Sequence, residues 1–232
     1  MNQPLVGVVV PAAGIGSRLG PGSPKALRSV AGEPLLLHAV RRLAACPSVG
    51  PVVVAAPPDR LPEVESLLAA YDVTVVAGGA ERQESVAAGL AALPDEVELV
   101  LVHDAARAFV PVEVVEQVVA ALRSGADAVV PVLPVADTVK RVDVNGEVVA
   151  TVPREDLRTA QTPQGFRRSV LEQAHRSAPR QHTDDAALVE AIGVRIRTVE
   201  GSPEAFKVTA PFDLVLADAL IARDGPRRPP GG

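Results

Sequence analysis

Cysteine is almost absent from this chain: Cys46 is the only one in 232 residues. A single thiol makes no internal disulfide and no cysteine-cluster zinc site, so a reducing cytoplasm is the expected compartment. Aromatics are scarce at 2%, with no tryptophan, although hydrophobic residues reach 47%. The core must therefore be built from Ala, Val and Leu, and the length suits one domain with a sizeable core. Long apolar runs are missing too. The stretch LVGVVV at 5–10 is far too short to cross a bilayer and no basic segment precedes it, so neither a membrane span nor a signal peptide is expected. There is no basic excess either: the net charge is −5, and no basic cluster is interleaved with aromatics, which argues against a nucleic-acid partner. An anion would have to be held by a few placed cations.

Lysine is the rarest of those cations. Of 23 basic residues only Lys25, Lys140 and Lys207 are lysines. Each is either a surviving surface charge or a place where a compact ammonium is required and a planar guanidinium will not serve. Familiar catalytic signatures are also lacking. No Gly-Lys-Ser/Thr is present for a Walker A loop, and a G-x-G-x-x-G fingerprint starting at Gly14 and Gly16 finds Leu19 in its third slot. The histidines His38, His103, His175 and His182 show no metal spacing, and no Ser-His-Asp or Cys-His arrangement is evident.

What is present is a rhythm. Short β-rich runs at 5–10, 51–56, 73–78, 98–104, 127–132 and 194–199 alternate with helical periods. Leu36, Val40 and Leu43 repeat at helical spacing after Pro34, as do Leu61, Val64 and Leu68, then Val86, Leu90 and Leu93. Val115, Val118, Val119 and Leu122 follow, stopped by Gly125, and Pro211 opens a last helix with Leu214, Leu220 and Ile221. Near-continuous apolar strands separated by helices predict an α/β, doubly wound, Rossmann-like and mostly parallel sheet. TVKRVDVNGEVVATV at 138–152 breaks the rhythm: its alternation about Asn145-Gly146 predicts a two-residue hairpin, which needs something to pack on, and a second subunit is the natural candidate. HTDDAALVE at 182–190 reads as a helix start capped by Thr183 with two acids in its first turn. The tail RDGPRRPPGG, 223–232, is expected to be disordered.

The chemistry opens in VPAAGIGSRLGPGSPKAL, 10–27. After the first strand, backbone N–H groups at Ala12, Ala13, Gly14 and Gly16 can approach an anion closely, and Arg18 and Lys25 follow seven residues apart. A Pro-Gly-Ser-Pro run at 21–24 stiffens the arm leading to Lys25. Such a loop suits a triphosphate that must be bent and neutralised.

That loop, with VLVHDAAR (100–107), GGAERQESVAAGL (78–90), DTVKRV (137–142), TPQGF (162–166) and FKVT (206–209), resembles the 2-C-methyl-D-erythritol 4-phosphate cytidylyltransferases of isoprenoid biosynthesis. The order of motifs matches over roughly residues 5–222, with no cyclodiphosphate synthase motif appended. The resemblance implies one catalytic domain, 1–222, of the nucleotide-diphospho-sugar transferase type, with a dimerisation arm at about 137–160. It implies transfer of CMP from CTP to methylerythritol 4-phosphate with release of pyrophosphate, assisted by Mg²⁺ or another divalent cation. Arg18 and Lys25 match the catalytic pair, and Asp104 matches the metal ligand. Ala12, Ala13, Gly14, Gly16, Gly79, Ser85, Ala105 and Arg107 match the CTP site, while Thr138, Arg154, Thr162 and Lys207 match the acceptor site. In the family the arm interlocks two subunits, so Thr138 and Arg154 are expected to serve the neighbour's site in a homodimer. His103 is expected to pack or hydrogen-bond at its strand end. Ser17, Ala80 and the insertion in ARAFVP depart from the family pattern at the edge of the nucleotide site. A cytidylyltransferase for another polyol phosphate, such as ribitol 5-phosphate, is the rival reading.

Overall fold

Strands and helices alternate as that rhythm predicts, in a computed structural model that describes residues 3–14, 16, 23–177 and 182–224. β1 (Leu5–Pro11) is followed by a small hairpin, β2 (Ser29–Val30) and β3 (Glu33–Pro34), then α1 (Leu35–Ala44), β4 (Val52–Ala56) and α2 (Leu61–Leu68). β5 (Val73–Ala77), α3 (Arg82–Ala92), β6 (Val97–Val102), α4 (Val112–Arg123) and β7 (Ala128–Pro134) continue the alternation. After β8 (Val139–Val142) and β9 (Val148–Val152) come β10 (Arg158–Ala160), β11 (Gln164–Arg167), α5 (Arg168–Ser177), α6 (Asp185–Glu190), β12 (Ile196–Glu200) and α7 (Pro211–Asp224).

One sheet runs β10-β7-β11-β6-β1-β4-β5, with β12 also on β7. β6, β1, β4 and β5 are parallel neighbours and β12 is parallel to β7, whereas β10 and β11 run antiparallel. The period-2 alternation of the strands sorts their side chains into two cores. Val8, Val10, Val52, Val54, Leu99 and Leu101 pack with α1, α2 and α4. Val9, Val53, Val100 and Val102 pack on the other face with α3, α5, α6 and Phe166 of β11. Both faces are thus covered, which is why these strands read as unbroken apolar runs. A third cluster of Val30, Leu35, Ala108, Phe109, Val208 and Ala217 seats α7 and the FKVT segment beside the loop after β6.

The hairpin of β8 and β9 forms a separate two-stranded sheet, and Val142, Val144, Val148 and Val149 on it are exposed. Its turn differs from the expected two-residue form. Asp143 N–H donates to Glu147 O (3.0 Å), Gly146 N–H donates to Asp143 O (3.2 Å), and Asp143 Oδ1 accepts from the N–H of Asn145 and of Glu147 (2.9 Å each). Asp143 therefore makes the turn one residue longer, with Gly146 in the left-handed region at φ 83°. The arm also ends sooner than expected, because Arg158–Ala160 already pair with β7 in the main sheet. At the other end α7 takes in Arg223 and Asp224, which the sequence reading gave to the tail; residues 225–232 lie outside the described residues.

Candidate active site

The carboxyl ends of β1, β5 and β6 open on one cleft of 610 Å³, solvent mouth included. Nine of the expected site residues line it: Ala12, Ala13, Gly14, Lys25, Gly79, Ser85, Asp104, Ala105 and Lys207. The loop after β1 forms one wall. Ala12 N–H donates to Ala55 O (2.8 Å), and Lys25 N–H donates to Gly14 O (3.3 Å), which brings the two ends of the loop together. Gly16 backs onto the lysine stem: a Cβ there would lie 2.5 Å from Lys25 Cβ. Arg18, the other member of the expected catalytic pair, lies outside the described residues, as does Ser17.

The second wall follows β5. A Cβ on Gly78 would come within 2.6 Å of Ala13 Cβ, so only glycine lets the two loops meet this closely. Ser85 is buried, accepting from Gly79 N–H (3.1 Å) and donating to Glu81 O (3.2 Å). Glu81 and Glu84 form a reciprocal capping box that fixes the start of α3. The next residue after the cap, Arg82, also lines the cleft, and the sequence reading gave it no role.

Arg82 belongs to a charge cluster around Asp104, two residues beyond the end of β6. Its Nε donates to Asp104 Oδ1 (3.1 Å) and its Nη1 to Asp185 Oδ2 (2.6 Å), while Lys207 Nζ lies 2.7 Å from Asp104 Oδ2. Burial alone would raise the Asp104 carboxyl, but Arg82 and Lys207 overcome it and hold the group well below the usual carboxylate range. The Arg82 guanidinium, despite a burial penalty that acts to lower it, is pushed above its ordinary value by Asp185 and Asp104.

Thr162, expected in the acceptor site, is buried and does not line the cleft. Its hydroxyl accepts from Asp104 N–H (3.1 Å) and lies 3.1 Å from His103 Nδ1. His103 Nε2 in turn donates to Arg107 O (3.2 Å), which sets the tautomer that lets Nδ1 accept from Thr162. His103 is therefore a strand-end hydrogen-bonding group, as expected. Arg107 turns its guanidinium to Ala205 O (2.8 Å) and Ala160 O (3.0 Å), and Val208 N–H donates to Ala106 O (2.8 Å). These bonds brace the Lys207 segment against the loop after β6.

Burial pushes the His103 imidazole down from 6.5 to about 4. As pH falls through that window the unfolded chain takes up a proton that the folded chain refuses, so folding stability is lost. The slope from one such group is at most about 1.4 kcal/mol per pH unit. His38, lowered chiefly by burial, acts in the same direction. Urea unfolding at pH 7 and pH 5 should show the loss, and His103→Gln should flatten part of it.

Thr138 and Arg154 are not brought to the cleft within this chain. Both are exposed at the base of the arm, where Arg154 Nη1 donates to Ala136 O. Helix α6 is capped by Asp184, which accepts from Ala187 N–H (2.9 Å), rather than by Thr183; the following Asp185 is the residue that reaches Arg82.

With this geometry in place, the likeness to known proteins is specific. The family described as IspD, 2-C-methyl-D-erythritol 4-phosphate cytidylyltransferase, matches residues 6–223. This chain belongs to that family. The enzyme of that name from Streptomyces avermitilis is 56% identical over 227 residues, covering 93% of this chain and 91% of the relative, and the one from Frankia casuarinae is 55% identical over 97% of this chain and 84% of the relative. Among solved structures, the 2-C-methyl-D-erythritol 4-phosphate cytidylyltransferase of Thermus thermophilus superposes with a TM-score of 0.75 at 40% identity, over 95% of this chain and 98% of that one. Members of this family are nucleotidyltransferases, and this chain carries the family's α/β fold.

The donor set bears on a divalent ion. No group of three or more His, Cys, Asp or Glu side chains is placed to hold a metal among the described residues. Two carboxylates line the cleft among the described residues; Glu81 is taken up by the capping box of α3, which leaves Asp104. An ionised carboxylate offers about four lone-pair sites, of which Arg82 and Lys207 engage one on each oxygen. One such carboxylate beside the glycine loop after β1 fits Mg²⁺, which takes one or two carboxylates and completes its shell with waters and substrate phosphates.

Proposed function

We propose that the cleft carries out cytidylyl transfer: an oxygen of the 4-phosphate of 2-C-methyl-D-erythritol 4-phosphate attacks the α-phosphorus of CTP in line, and pyrophosphate leaves. The observation that carries this reading is the meeting of Lys25, Lys207, Asp104 and the Ser85-held glycine turn in one cleft at the strand ends. A phosphate monoester has a second pKa of about 6, so it arrives mostly dianionic and needs no general base. The difficulty is the meeting of two polyanions, and positioning with fixed positive charge answers it.

In this reading the backbone at Ala12, Ala13 and Gly14 approaches the triphosphate, and Gly79 and Ser85 shape the site for the base and ribose beside Ala105. Lys25 and Arg18 meet charge that develops on the transferring phosphoryl group. Asp104 would hold Mg²⁺, which would supply Lewis-acid neutralisation of phosphate oxygens. Lys207 receives the acceptor phosphate, Thr162 positions Asp104 through its backbone, and Arg107 braces both segments. Arg154 and Thr138 reach the cleft of a second copy, so the working enzyme is a cytoplasmic homodimer joined through the arm. The exposed valines of the arm support this, being apolar surface that a lone hairpin leaves in water. No helix among the described residues is long and apolar enough to cross a membrane.

The names carried by relatives above 50% identity favour methylerythritol phosphate over ribitol 5-phosphate. Turnover of each polyol phosphate with CTP and Mg²⁺, followed by pyrophosphate release, tests the choice; release with ribitol 5-phosphate alone would overturn it. Arg154→Ala should raise KM for the polyol phosphate by about tenfold or more, the loss of one charge-assisted phosphate contact, and leave KM for CTP nearly unchanged. A change confined to CTP would overturn the acceptor assignment.

A further inference from the structure

The segment HTDDAALVE places a carboxylate where the transfer reaction gives it no task. Asp185 is 2% exposed, and a buried carboxylate is costly unless something compensates its charge. Its Oδ2 accepts from Arg82 Nη1 at 2.6 Å, and His175 Nε2 stands 3.6 Å from its Oδ1. The placement is built from the sheet. Gln164 of β11, buried and opposite Val102 of β6, donates to Asp184 Oδ2 (2.7 Å) and accepts from Ala186 N–H (3.0 Å), so the start of α6 is pinned beside the strand that ends at Asp104.

We propose that Asp185 is a positioning residue for Asp104, acting through Arg82 as the shared counter-ion of two buried carboxylates. The inference rests on the reading of Asp104 as the group that meets a divalent ion carried by the nucleotide. Arg82 Nη2 is buried without a partner among the described residues, so the guanidinium is held by its two carboxylates. Asp104, 8% exposed, faces Arg82 and Lys207 together. Were both cations given to Asp104 alone, the three groups would carry net positive charge, and a divalent ion would be repelled where screening by water is weak. Asp185 draws off the charge of Arg82 and brings the four groups to neutrality. It also fixes the rotation of the guanidinium plane, so that Arg82 engages Asp104 through Nε on Oδ1 alone and, with Lys207 on Oδ2, leaves one lone pair on each oxygen uncommitted.

The test is a charge cycle read by Mn²⁺ binding, followed by electron paramagnetic resonance in the presence of a CTP analogue whose α,β-bridging oxygen is replaced by methylene. Asp185→Asn should weaken Mn²⁺ binding by roughly tenfold, the effect of one unshared positive charge near a divalent site at an effective dielectric of about 20. It should raise the Mg²⁺ concentration for half-maximal turnover in step. Adding Arg82→Gln to that variant should restore most of the Mn²⁺ affinity, because the unshared charge is gone, and Arg82→Gln alone should bind Mn²⁺ at least as tightly as the unmodified chain. A merely structural role for Asp185 would lower the melting temperature and leave Mn²⁺ affinity unmoved, which overturns the proposal, as does a double variant no tighter than Asp185→Asn. Should Asp185→Asn fail to fold, weaker Mn²⁺ binding by Arg82→Gln alone overturns it. An unmodified chain that releases pyrophosphate while every variant binds Mn²⁺ alike refutes this inference only. A chain inert towards CTP refutes the underlying reading and the inference with it.

Discussion

Replacing Lys25 by alanine is expected to lower kcat by about 10²–10³, the scale of losing one preorganised electrostatic donor, while the fold survives. Preorganisation is what gives this residue its leverage. Its backbone is tied to Gly14, it opens a short 3-10 turn whose next residues, Ala26 and Leu27, are buried, and Gly16 leaves no room for its stem to swing in that direction. The base of the side chain is thus fixed, and in the proposed reading its ammonium meets the developing charge at little reorganisation cost. KM for CTP should move much less than kcat, because the interaction strengthens as the transition state forms. Lys25→Arg should recover only part of the loss, since a planar fork does not reproduce a compact ammonium. Pyrophosphate release measures the rate, and an unchanged melting temperature shows that the core is intact. Near-normal turnover in the alanine variant would overturn the assigned role.

Two of the strands that carry this site, β1 and β6, were legible because they are buried on both faces, which leaves an apolar run that no surface strand has. Leu5–Pro11 and Val97–Val102 are such runs, and their ends deliver the loop that carries Lys25 and the Asp104 carboxylate. β10 and β11 were not legible. They are three and four residues long, too short to show an alternation or an apolar run, yet pairing with β6 and β7 makes β11 a central strand. The arm's turn was misjudged because the side chain of Asp143, two positions before Asn145, captures two backbone N–H groups and displaces the turn. Arg82 was missed for a different reason. It stands inside a quoted motif, but what gives it meaning is a partner 103 residues away, and no local period signals such a pairing. Asp184 and Thr183 are both competent caps, and the choice between them was made by Gln164, which holds the Asp184 carboxylate from another strand. Arg107 shows the converse: a cation on the exit loop of β6 invites a nucleotide role, whereas its guanidinium is taken up by the carbonyls of Ala160 and Ala205.

Asp104→Asn is expected to cost more activity than any other single change among the described residues, about 10³-fold or beyond, because it removes several kcal/mol of charge neutralisation at roughly 1.4 kcal/mol per decade of rate. Isosteric asparagine keeps the shape of the loop, and the Asp104 N–H bond to Thr162 does not depend on the side chain. The cations it deserts fare unequally: Arg82 retains Asp185, while Lys207, with its side chain 38% exposed, can turn to water. The stability loss at neutral pH should accordingly stay near the lower end of what breaking a buried charge pair costs, about 3 kcal/mol or less. Its pH dependence has a definite sign. The folded carboxyl is depressed below its unfolded value of 3.8, so the native chain draws stability from Asp104 above that pH and loses it as pH falls towards the folded value. The gap in unfolding free energy between the native chain and Asp104→Asn should therefore be constant from pH 7 to about pH 5 and should narrow on further acidification. A gap that widened with acid would mean that Asp104 is not held ionised by Arg82 and Lys207, and the electrostatic account of the cleft would fail at its centre.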